Sequence, residues 1–328
     1  MTINFAEGLA KAMYEALERD PRVIMIGSGF MGLNPSARAK LDPILERFGD
    51  RILPTPISEL GLAGAAIGAA VAGQRPIVDL STGSFIFQAF AQVVNEAPNV
   101  HYMTGGQTAA PVTFYSLAGI RGAGAAQHSH VTQAMLAQVP GLQILLPATA
   151  DDAYHLLRWA LLESRNPTVF LSHALLFDDV AEIGPERPML PVGRAAIRRE
   201  GSDLSIIASS ITVPRALAAA ATLAQDHGVF AEVVDLRSVS PLDRDTVLQS
   251  VARTGHAVIA DECHCSYGVA AEIAATLAES GFHWLKAPVR RVAVPDVPIP
   301  FSPPLERELV VTTDKIVTAA LELLGRGA

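Results

Sequence analysis

Apolar residues recur at two different spacings along the chain, and these spacings predict its elements. Between residues 3 and 19 the apolar positions, from Phe5 to Leu17, repeat every three or four residues, which is typical of an amphipathic helix. Short runs made up mainly of apolar residues, such as 23–26 and 76–80, favour strands that are buried on both faces. The two kinds of segment alternate through the chain. This alternation predicts an α/β fold with mainly parallel sheets that helices cover on both faces.

The patterns define an expected order of elements. The predicted strands are 23–26, 76–80, 112–116, 142–146, 168–171, 204–209, 230–235, 256–260 and 288–292. The predicted helices are 3–19, 59–72, 87–96, 132–139, 150–163, 213–227, 243–254, 268–280 and 313–324. A proline-rich, acidic segment at 178–192 interrupts the series and is typical of a linker. A chain of 328 residues, half of them hydrophobic, is expected to form two domains about this segment.

Charge and composition exclude several classes of protein. The formal net charge of -8 argues against a nucleic acid or an anionic membrane as partner. No apolar run reaches the roughly 18 residues of a membrane span, and the N-terminal segment lacks the features of a signal peptide. The two cysteines, Cys263 and Cys265, suit a reducing compartment. Although they flank a histidine as metal ligands can, we interpret them as ordinary small residues near a strand end. We therefore expect a cytoplasmic protein.

One helix differs from the others in composition. The stretch Ile57–Ala72 contains almost only small and apolar residues, which predicts very close packing against a neighbouring segment. Glu59 is its only charged residue. From this stretch alone, the simpler interpretation is that Glu59 lies in the first turn and interacts favourably with the helix dipole. The alternative is that Glu59 is a buried carboxylate with a functional role, since burial of an unpaired charge is costly and calls for such a reason.

Two glycine-rich segments are candidates for binding sites. Residues 27–32 match the dinucleotide pattern G-x-G-x-x-G after a strand, but Asn34-Pro35 follows where a helix should continue. We interpret this segment as a turn that imitates the motif. Residues 117–130 are too rich in glycine for a packed element and are predicted to form a loop. His128 and His130 on this loop are either solvated side chains or groups that transfer protons near neutral pH.

Seven blocks of sequence resemble a known family. They are TPISELGLAGAAIGAAVAG, YMTGG, AAQHSH, VPGLQILLPATADDA, DLRSVSPLD, ADE…YGVAAEIAA and PVRRVAVPDVPIPFSPPLE. In this order they resemble the β subunit of the thiamine-diphosphate-dependent first component of 2-oxoacid dehydrogenases, which include the pyruvate, branched-chain and acetoin enzymes. The resemblance implies a transketolase-like pyrimidine-binding domain in residues 1–185 and a transketolase C-terminal domain in residues 193–328.

The resemblance also implies a reaction and leaves alternatives open. In the first, the chain belongs to an enzyme that decarboxylates a 2-oxo acid and transfers the acyl group to lipoamide on a lipoyl acyltransferase core. In the second, it belongs to a stand-alone pair that ligates a two-carbon acyl unit to a carbonyl acceptor in biosynthesis. In the third, it is a non-catalytic assembly subunit, which the retention of Glu59, Phe85 and His128 disfavours.

The family's functional residues map onto particular positions here. Glu59 matches the glutamate that hydrogen-bonds N1′ of the cofactor's aminopyrimidine, and it becomes a catalytic candidate. Phe85 matches the ring that stacks on the pyrimidine, while Ile57 and Ser81 lie at positions that touch the cofactor. His128 matches the loop histidine that faces the thiazolium and helps to receive the acyl acceptor.

The resemblance implies that one metal ion binds to this chain and another to a partner subunit. A structural potassium ion is common in the family, and the matching positions are Val112, Ala160, Leu161 and Glu163. Thiamine enzymes hold Mg²⁺ and the diphosphate with a Gly-Asp-Gly motif and a later Asn-Asn pair. This chain has neither. An α subunit must supply that half of the site, which implies an α2β2 heterotetramer.

Three positions depart from the family pattern. The acidic residue expected after the first strand is replaced by Ser28, the arginine expected after strand 112–114 is replaced by Tyr115 or Ser116, and the expected Glu-x-Glu is replaced by Ser172-His-Ala174. The loss of acidic groups weakens the assignment of lipoamide as acceptor and motivates the second alternative.

We predict that the isolated chain does not bind thiamine diphosphate tightly, because no residue pattern here holds Mg²⁺ or phosphate. Titration calorimetry of the monodisperse chain with the cofactor and Mg²⁺ should detect no micromolar binding. Addition of the α subunit should restore it. Micromolar binding by the chain alone would contradict the half-site hypothesis.

Overall fold

The predicted alternation of strands and helices is present in a computed structural model of the chain. The structure describes residues 2–27, 29–30, 35–183 and 191–326. By packing, these residues form two units. The first contains residues 2–121 and 128–183, and the second contains residues 122–127 and 191–326.

The first unit is built around parallel strands. Its strands are β1 (Thr2–Asn4), β2 (Val23–Ile26), β3 (Ile52–Leu53), β4 (Arg75–Thr82), β5 (Thr113–Leu117), β6 (Gln143–Leu145), β7 (Thr168–Ser172) and β8 (Val180–Glu182). Its helices are α1 (Phe5–Arg19), α2 (Pro35–Ala39), α3 (Asp42–Phe48), α4 (Glu59–Val71), α5 (Ala97–Met103), α6 (Gln133–Ala137) and α7 (Ala150–Leu162). Six strands lie side by side in the order β6-β7-β5-β4-β2-β3, and each neighbouring pair is parallel.

The second unit has its own sheet. Its strands are β9 (Ala196–Arg199), β10 (Leu204–Ala208), β11 (Ala231–Asp235), β12 (Ser238–Ser240), β13 (Ala257–His264) and β14 (Arg290–Val294). Its helices are α8 (Thr212–His227), α9 (Arg244–Thr254), α10 (Val269–Ser280), α11 (Pro303–Leu309) and α12 (Thr313–Leu323). Five of the strands form a sheet in the order β14-β13-β10-β11-β9, in which the edge strand β9 is antiparallel to β11. The predicted α/β class with mainly parallel sheets is confirmed.

The amphipathic pattern of the first helix explains how α1 docks. The predicted apolar face is buried, and both Phe5 and Leu9 are fully inaccessible to solvent. Asn4 and Glu7 form a reciprocal capping box that satisfies two free backbone N–H groups at the helix start. Gly8 lets α1 approach α7 closely, because a Cβ atom there would lie 2.7 Å from the carbonyl oxygen of Ala150.

Two segments differ from their predicted form. Part of the predicted linker 178–192 is strand β8, which pairs antiparallel with β1; residues 184–190 lie outside the described residues. The segment predicted as a loop at 81–85 and a helix at 87–96 instead contains a 3₁₀ helix at Gly83–Ala89 and a π-helical stretch at Gln92–Glu96. Periodicity cannot separate these helices from an α-helix, because each differs from it by only one residue in hydrogen-bond spacing.

The parallel strands bring the candidate residues to one edge. The carboxyl ends of β2, β4, β5 and β7 all lie at the same edge of the sheet, where ligands bind in open α/β sheets. Across the described part of the chain, no helix combines the length and apolarity that crossing a membrane requires.

Candidate active site

Glu59 is the first residue of α4 and has no partner that would neutralise it. Its side chain is half-buried, and no hydrogen bond or ion pair joins it to another of the described residues. Helix α4 packs against the 3₁₀ helix Gly83–Ala89, which carries Phe85. Free N–H groups at a helix start favour a nearby negative charge. The Glu59 carboxyl group is therefore available to a ligand beside the segment that carries Phe85.

Asp79 is the buried carboxylate of the site, and the sequence analysis did not identify it. It lies within β4 and is only 6 % exposed. Its Oδ1 atom accepts a hydrogen bond of 2.8 Å from the backbone N–H of Ser81, and it also accepts one from the backbone of Gly29. Ser81 has a positive φ of 56°, so the Asp79 carboxylate stabilises an unusual backbone conformation where the strand ends.

The glycine-rich turn after β2 is shaped by Asp79. A Cβ atom at Gly27 would lie 3.0 Å from the Cβ of Asp79, and one at Gly29 would lie 2.6 Å from its Oδ2. Gly27 also has a φ of +113°, which disfavours other residues. Ser28 and residues 31–34 of the apparent dinucleotide motif lie outside the described residues. The two glycines are thus explained by close approach to a side chain of the same sheet.

Burial, together with a smaller effect of the negative charge of Glu59, raises the pKa of Asp79 to about 6. The hydrogen bonds from Ser81 and Gly29 and the charge of Arg38 oppose this rise. The charge of Glu59 therefore acts on the buried carboxyl group of Asp79.

The side chains of Phe85 and His128 are in contact. Their ring centroids are 5.3 Å apart, with the planes at 73°. A second contact joins the same two segments, since Ser84 Oγ and His130 Nδ1 share a hydrogen bond of 3.0 Å. Both histidines are half-buried. His128 is thereby held edge-on to an aromatic ring at the end of the glycine-rich loop.

A third contact of this kind involves Arg121 near the start of that loop. One guanidinium nitrogen donates a hydrogen bond of 2.9 Å to the hydroxyl oxygen of Thr82, the last residue of β4. Three side-chain contacts therefore join residues 82–85 to the loop, and we call this set the strand–loop seam. It consists of Thr82–Arg121, Ser84–His130 and Phe85–His128.

Tyr115 and Ser116, two of the residues that depart from the family pattern, are buried. Tyr115 is fully buried between the rings of Phe30 and Phe170, and its hydroxyl oxygen accepts a hydrogen bond of 2.9 Å from Ser172. Burial raises the pKa of Tyr115 well above its usual value, so the phenol stays neutral. Ser116 donates a hydrogen bond of 2.9 Å to the carbonyl oxygen of Ser81. These residues support the strand ends.

Arg75 occupies the carbonyl oxygens at two of the expected potassium positions. Its guanidinium donates a hydrogen bond of 2.5 Å to the Leu161 carbonyl and a longer one of 3.4 Å to that of Ala160. It also donates one of 2.8 Å to the carbonyl of Ser164. Arg75 is 8 % exposed, and burial lowers its pKa. A potassium ion would have to compete with a fixed positive charge for these oxygen atoms.

Other metal candidates find no support in the described residues, where no group of three or more His, Cys, Asp or Glu side chains could hold an ion. Cys263 is buried, and His264 turns its Nδ1 towards the carbonyl oxygen of Pro295, 2.8 Å away.

The predicted site residues are therefore only partly assembled by this chain. Phe85 and His128 are in contact, Glu59 and Ser81 lie next to the same buried aspartate, and Ile57 is 90 % exposed. Asp79 and Arg121 were missed. The signal that could have identified Asp79 was a single acidic residue within the apolar run of β4, because acidic residues are almost never fully buried unless they are paired.

Comparison with known families and proteins shows which family the chain belongs to. The model of the transketolase pyrimidine binding domain matches residues 1–178, and that of the transketolase C-terminal domain matches residues 193–316. The chain is 37% identical to acetoin:2,6-dichlorophenolindophenol oxidoreductase subunit beta of Bacillus subtilis, over 99% of this chain and 98% of that one. It is 40% identical to the mitochondrial pyruvate dehydrogenase E1 component subunit beta-2 of Oryza sativa, over 98% of this chain and 85% of that one.

The chain belongs to the transketolase-like family of pyruvate and acetoin dehydrogenase β subunits. A solved structure described as a split gene transketolase, inactive beta4 tetramer, has a TM-score of 0.79 with 26% identity and covers 99% of both chains. The resemblance inferred from the seven sequence blocks is confirmed. The strand–loop seam and the Asp79 turn lie within the residues of this chain that match the pyrimidine binding domain.

We predict that Asp79→Asn removes a pH-dependent cost of folding. The folded-state pKa of about 6 lies above the ordinary 3.8, so the native state binds more protons than the unfolded state between these values. The wild-type free energy of unfolding should therefore fall as the pH rises from 4 to 6. The difference between variant and wild type should grow in favour of the variant by up to about 3 kcal/mol over that range.

Urea unfolding of both proteins between pH 4 and 7.5 measures this difference. Asp226→Asn removes an exposed carboxylate and serves as the control, for which no such trend is expected. A constant difference between Asp79→Asn and wild type across the pH range would show that Asp79 titrates normally in the folded state.

Proposed function

We propose that this chain is the β subunit of a thiamine-diphosphate enzyme that decarboxylates a 2-oxo acid and transfers the acyl group to an acceptor. The observation that carries the proposal is the arrangement of Glu59, Phe85 and His128 within one unit. Glu59 offers a carboxyl group without a partner among the described residues. Phe85, whose ring contacts that of His128, lies on a segment that packs against α4, the helix that begins with Glu59.

The described residues fit the aminopyrimidine half of the cofactor. A half-buried carboxyl group can hydrogen-bond a ring nitrogen, an exposed aliphatic side chain at Ile57 and the ring of Phe85 can pack on its faces, and no built-in partner competes for Glu59. When bound, thiamine diphosphate supplies the nucleophilic carbon and the electron sink that a 2-oxo acid needs for loss of carbon dioxide. Glu59 would hold a proton at the pyrimidine, and His128 would move a proton when the acyl group leaves.

The other half of the cofactor site is assigned to an α subunit. Among the described residues no cluster could hold Mg²⁺, and the side chain of Ile57 is almost fully exposed in this chain. The split-gene transketolase that it resembles is described as an inactive assembly of β chains, which fits the same division. We propose an α2β2 heterotetramer. We do not propose the potassium ion that was expected at Val112, Ala160, Leu161 and Glu163. Arg75 already binds the carbonyl oxygens of Ala160 and Leu161.

Two acceptors remain in the proposal. Relatives named as pyruvate dehydrogenase subunits favour transfer to a lipoyl acyltransferase core, whereas the likeness to a transketolase favours a carbonyl acceptor. Some relatives are mitochondrial, so a cytoplasmic location stays a prediction. The proposal as a whole is tested by measuring the decarboxylation of a panel of 2-oxo acids by the co-expressed α and β subunits; no decarboxylation of any member would contradict it.

We predict that Glu59→Gln leaves folding and assembly intact but lowers decarboxylation by about 10²–10⁴-fold, since an amide cannot deliver the proton. Carbon dioxide release by the α–β complex measures the loss, and size-exclusion chromatography checks assembly. Glu46→Gln changes an exposed carboxylate on α3 and should retain full activity. The expected loss of turnover is at least about 10²-fold. If Glu59→Gln retained more than about a tenth of wild-type turnover, the role assigned to Glu59 would be refuted.

We predict that His128→Ala separates the two half-reactions, because the histidine acts after decarboxylation. Decarboxylation with 2,6-dichlorophenolindophenol as artificial acceptor should fall less than transfer to the natural acceptor. If lipoamide is that acceptor, activity of the whole complex should be lost while the dye assay survives. If a carbonyl compound is the acceptor, lipoyl domains should neither rescue nor compete.

Gln127→Ala, which alters the exposed neighbour on the same loop, is the matched control and should change neither assay. Equal losses in both assays for His128→Ala would place the histidine in the first half-reaction instead.

A further inference from the structure

Arg121 differs from the other buried or half-buried arginines of the first unit in what it binds. Arg51 and Arg75 each donate to several backbone carbonyls, and Arg158 forms ion pairs with Glu15 and Glu163. Arg121 donates to one hydroxyl group, that of Thr82, and forms no ion pair with a carboxylate among the described residues. A guanidinium group carries five N–H donors, so most of its capacity is left for something else.

The cost of this arrangement points to an anionic ligand. The side chain is half-buried, and burial lowers its pKa because the charged form loses hydration. A charge removed from water without an opposite charge is unfavourable, and proteins retain one mainly where a partner arrives later. The planar fork of an arginine matches a carboxylate with two parallel hydrogen bonds.

The position of Arg121 restricts the size of that ligand. Its anchor Thr82 directly precedes the 3₁₀ helix that carries Phe85. With a rise of about 2 Å per residue, Thr82 and Phe85 are about 6 Å apart along the helix axis. His128 and Arg121 are tied to these two residues by the strand–loop seam. The charge therefore lies within the length of a small molecule from the ring contact assigned to the cofactor.

We infer that Arg121 binds the carboxylate of the 2-oxo acid and so selects anionic substrates, an inference that rests on the proposed function. The hydroxyl of Thr82 fixes one edge of the guanidinium group, and the remaining N–H donors face the incoming carboxylate. The interaction positions the substrate, and the chemistry is left to Glu59, His128 and the cofactor. Loss of carbon dioxide removes the carboxylate, so Arg121 loses its partner when the first half-reaction ends.

The test uses the α–β complex loaded with thiamine diphosphate and Mg²⁺. The binding probes are oxamate, an unreactive anion of the same shape as pyruvate, and its neutral methyl ester; titration calorimetry gives both dissociation constants without turnover. In Arg121→Gln the dissociation constant for oxamate should rise about 10–100-fold, as expected for loss of a hydrogen-bonded charge pair, while that for methyl oxamate changes less than about twofold. The KM for pyruvate should rise in parallel.

Three further variants show whether the effect belongs to the guanidinium fork. Arg121→Lys keeps the charge and should give an intermediate rise for oxamate. Thr82→Val removes the hydroxyl that orients the fork and should also give an intermediate rise. Arg22→Gln removes an exposed arginine that pairs with Asp20 on the surface, and it should leave both dissociation constants unchanged.

Each outcome separates this inference from the proposed function. Equal oxamate binding by wild type and Arg121→Gln, or no oxamate binding by wild type, would overturn the role of Arg121. A weaker affinity for thiamine diphosphate in Arg121→Gln, with oxamate binding unchanged, would assign the arginine to the cofactor's phosphates instead. Oxamate binding that depends on Arg121 in an enzyme that decarboxylates no 2-oxo acid would overturn the proposed reaction and leave the anion site standing.

Discussion

The buried carboxylate of Asp79 is the constraint on which the candidate site depends. It accepts hydrogen bonds at the carboxyl ends of two adjacent parallel strands, from Gly29 in the turn after β2 and from Ser81 near the end of β4. It thereby joins these two segments at one edge of the sheet. Gly27 and Ser81 both have positive φ angles. The hydrogen bond from the N–H of Ser81 favours the unusual conformation there, and the close approach of the Asp79 side chain leaves little room for any residue but glycine at position 27.

The same carboxylate connects the backbone to the chemistry. The negative charge of Glu59 is close enough to raise the pKa of the buried Asp79 carboxyl group. A buried carboxyl group with a pKa of about 6 can hold a proton close to neutral pH beside the candidate site.

Positive charge is distributed in two different ways in the first unit. Arg75 is buried and donates hydrogen bonds to carbonyl oxygens at and just after the end of α7, so its charge has a structural role. Arg121 is only half-buried and bonded to one hydroxyl, so its charge is available. The contrast shows why burial alone does not identify a binding residue: the number of acceptors already satisfied by the protein decides whether a guanidinium group can receive a ligand.

Much of the fold follows from local patterns in the sequence. The period of apolar residues predicted α1 and its buried face. The apolar runs located most of the central parallel strands to within one or two residues, because such strands must be buried on both faces; β13 extends four residues beyond its predicted end. Short elements escaped prediction. Strands β1 and β8 have three residues each and exist through pairing with each other, which no local pattern records.

The candidate site, like the fold, could be predicted only in part from the sequence. The sequence by itself determined the family and predicted Glu59, Phe85 and His128 as site residues, since these lie in contiguous motifs. Only the tertiary structure decided that the glycines at 27 and 29 make room for Asp79, that Arg75 takes the carbonyls of α7, and that Arg121 meets Thr82. The reason is physical: these contacts join residues 39 to 86 positions apart, and only strand order and burial bring such residues together.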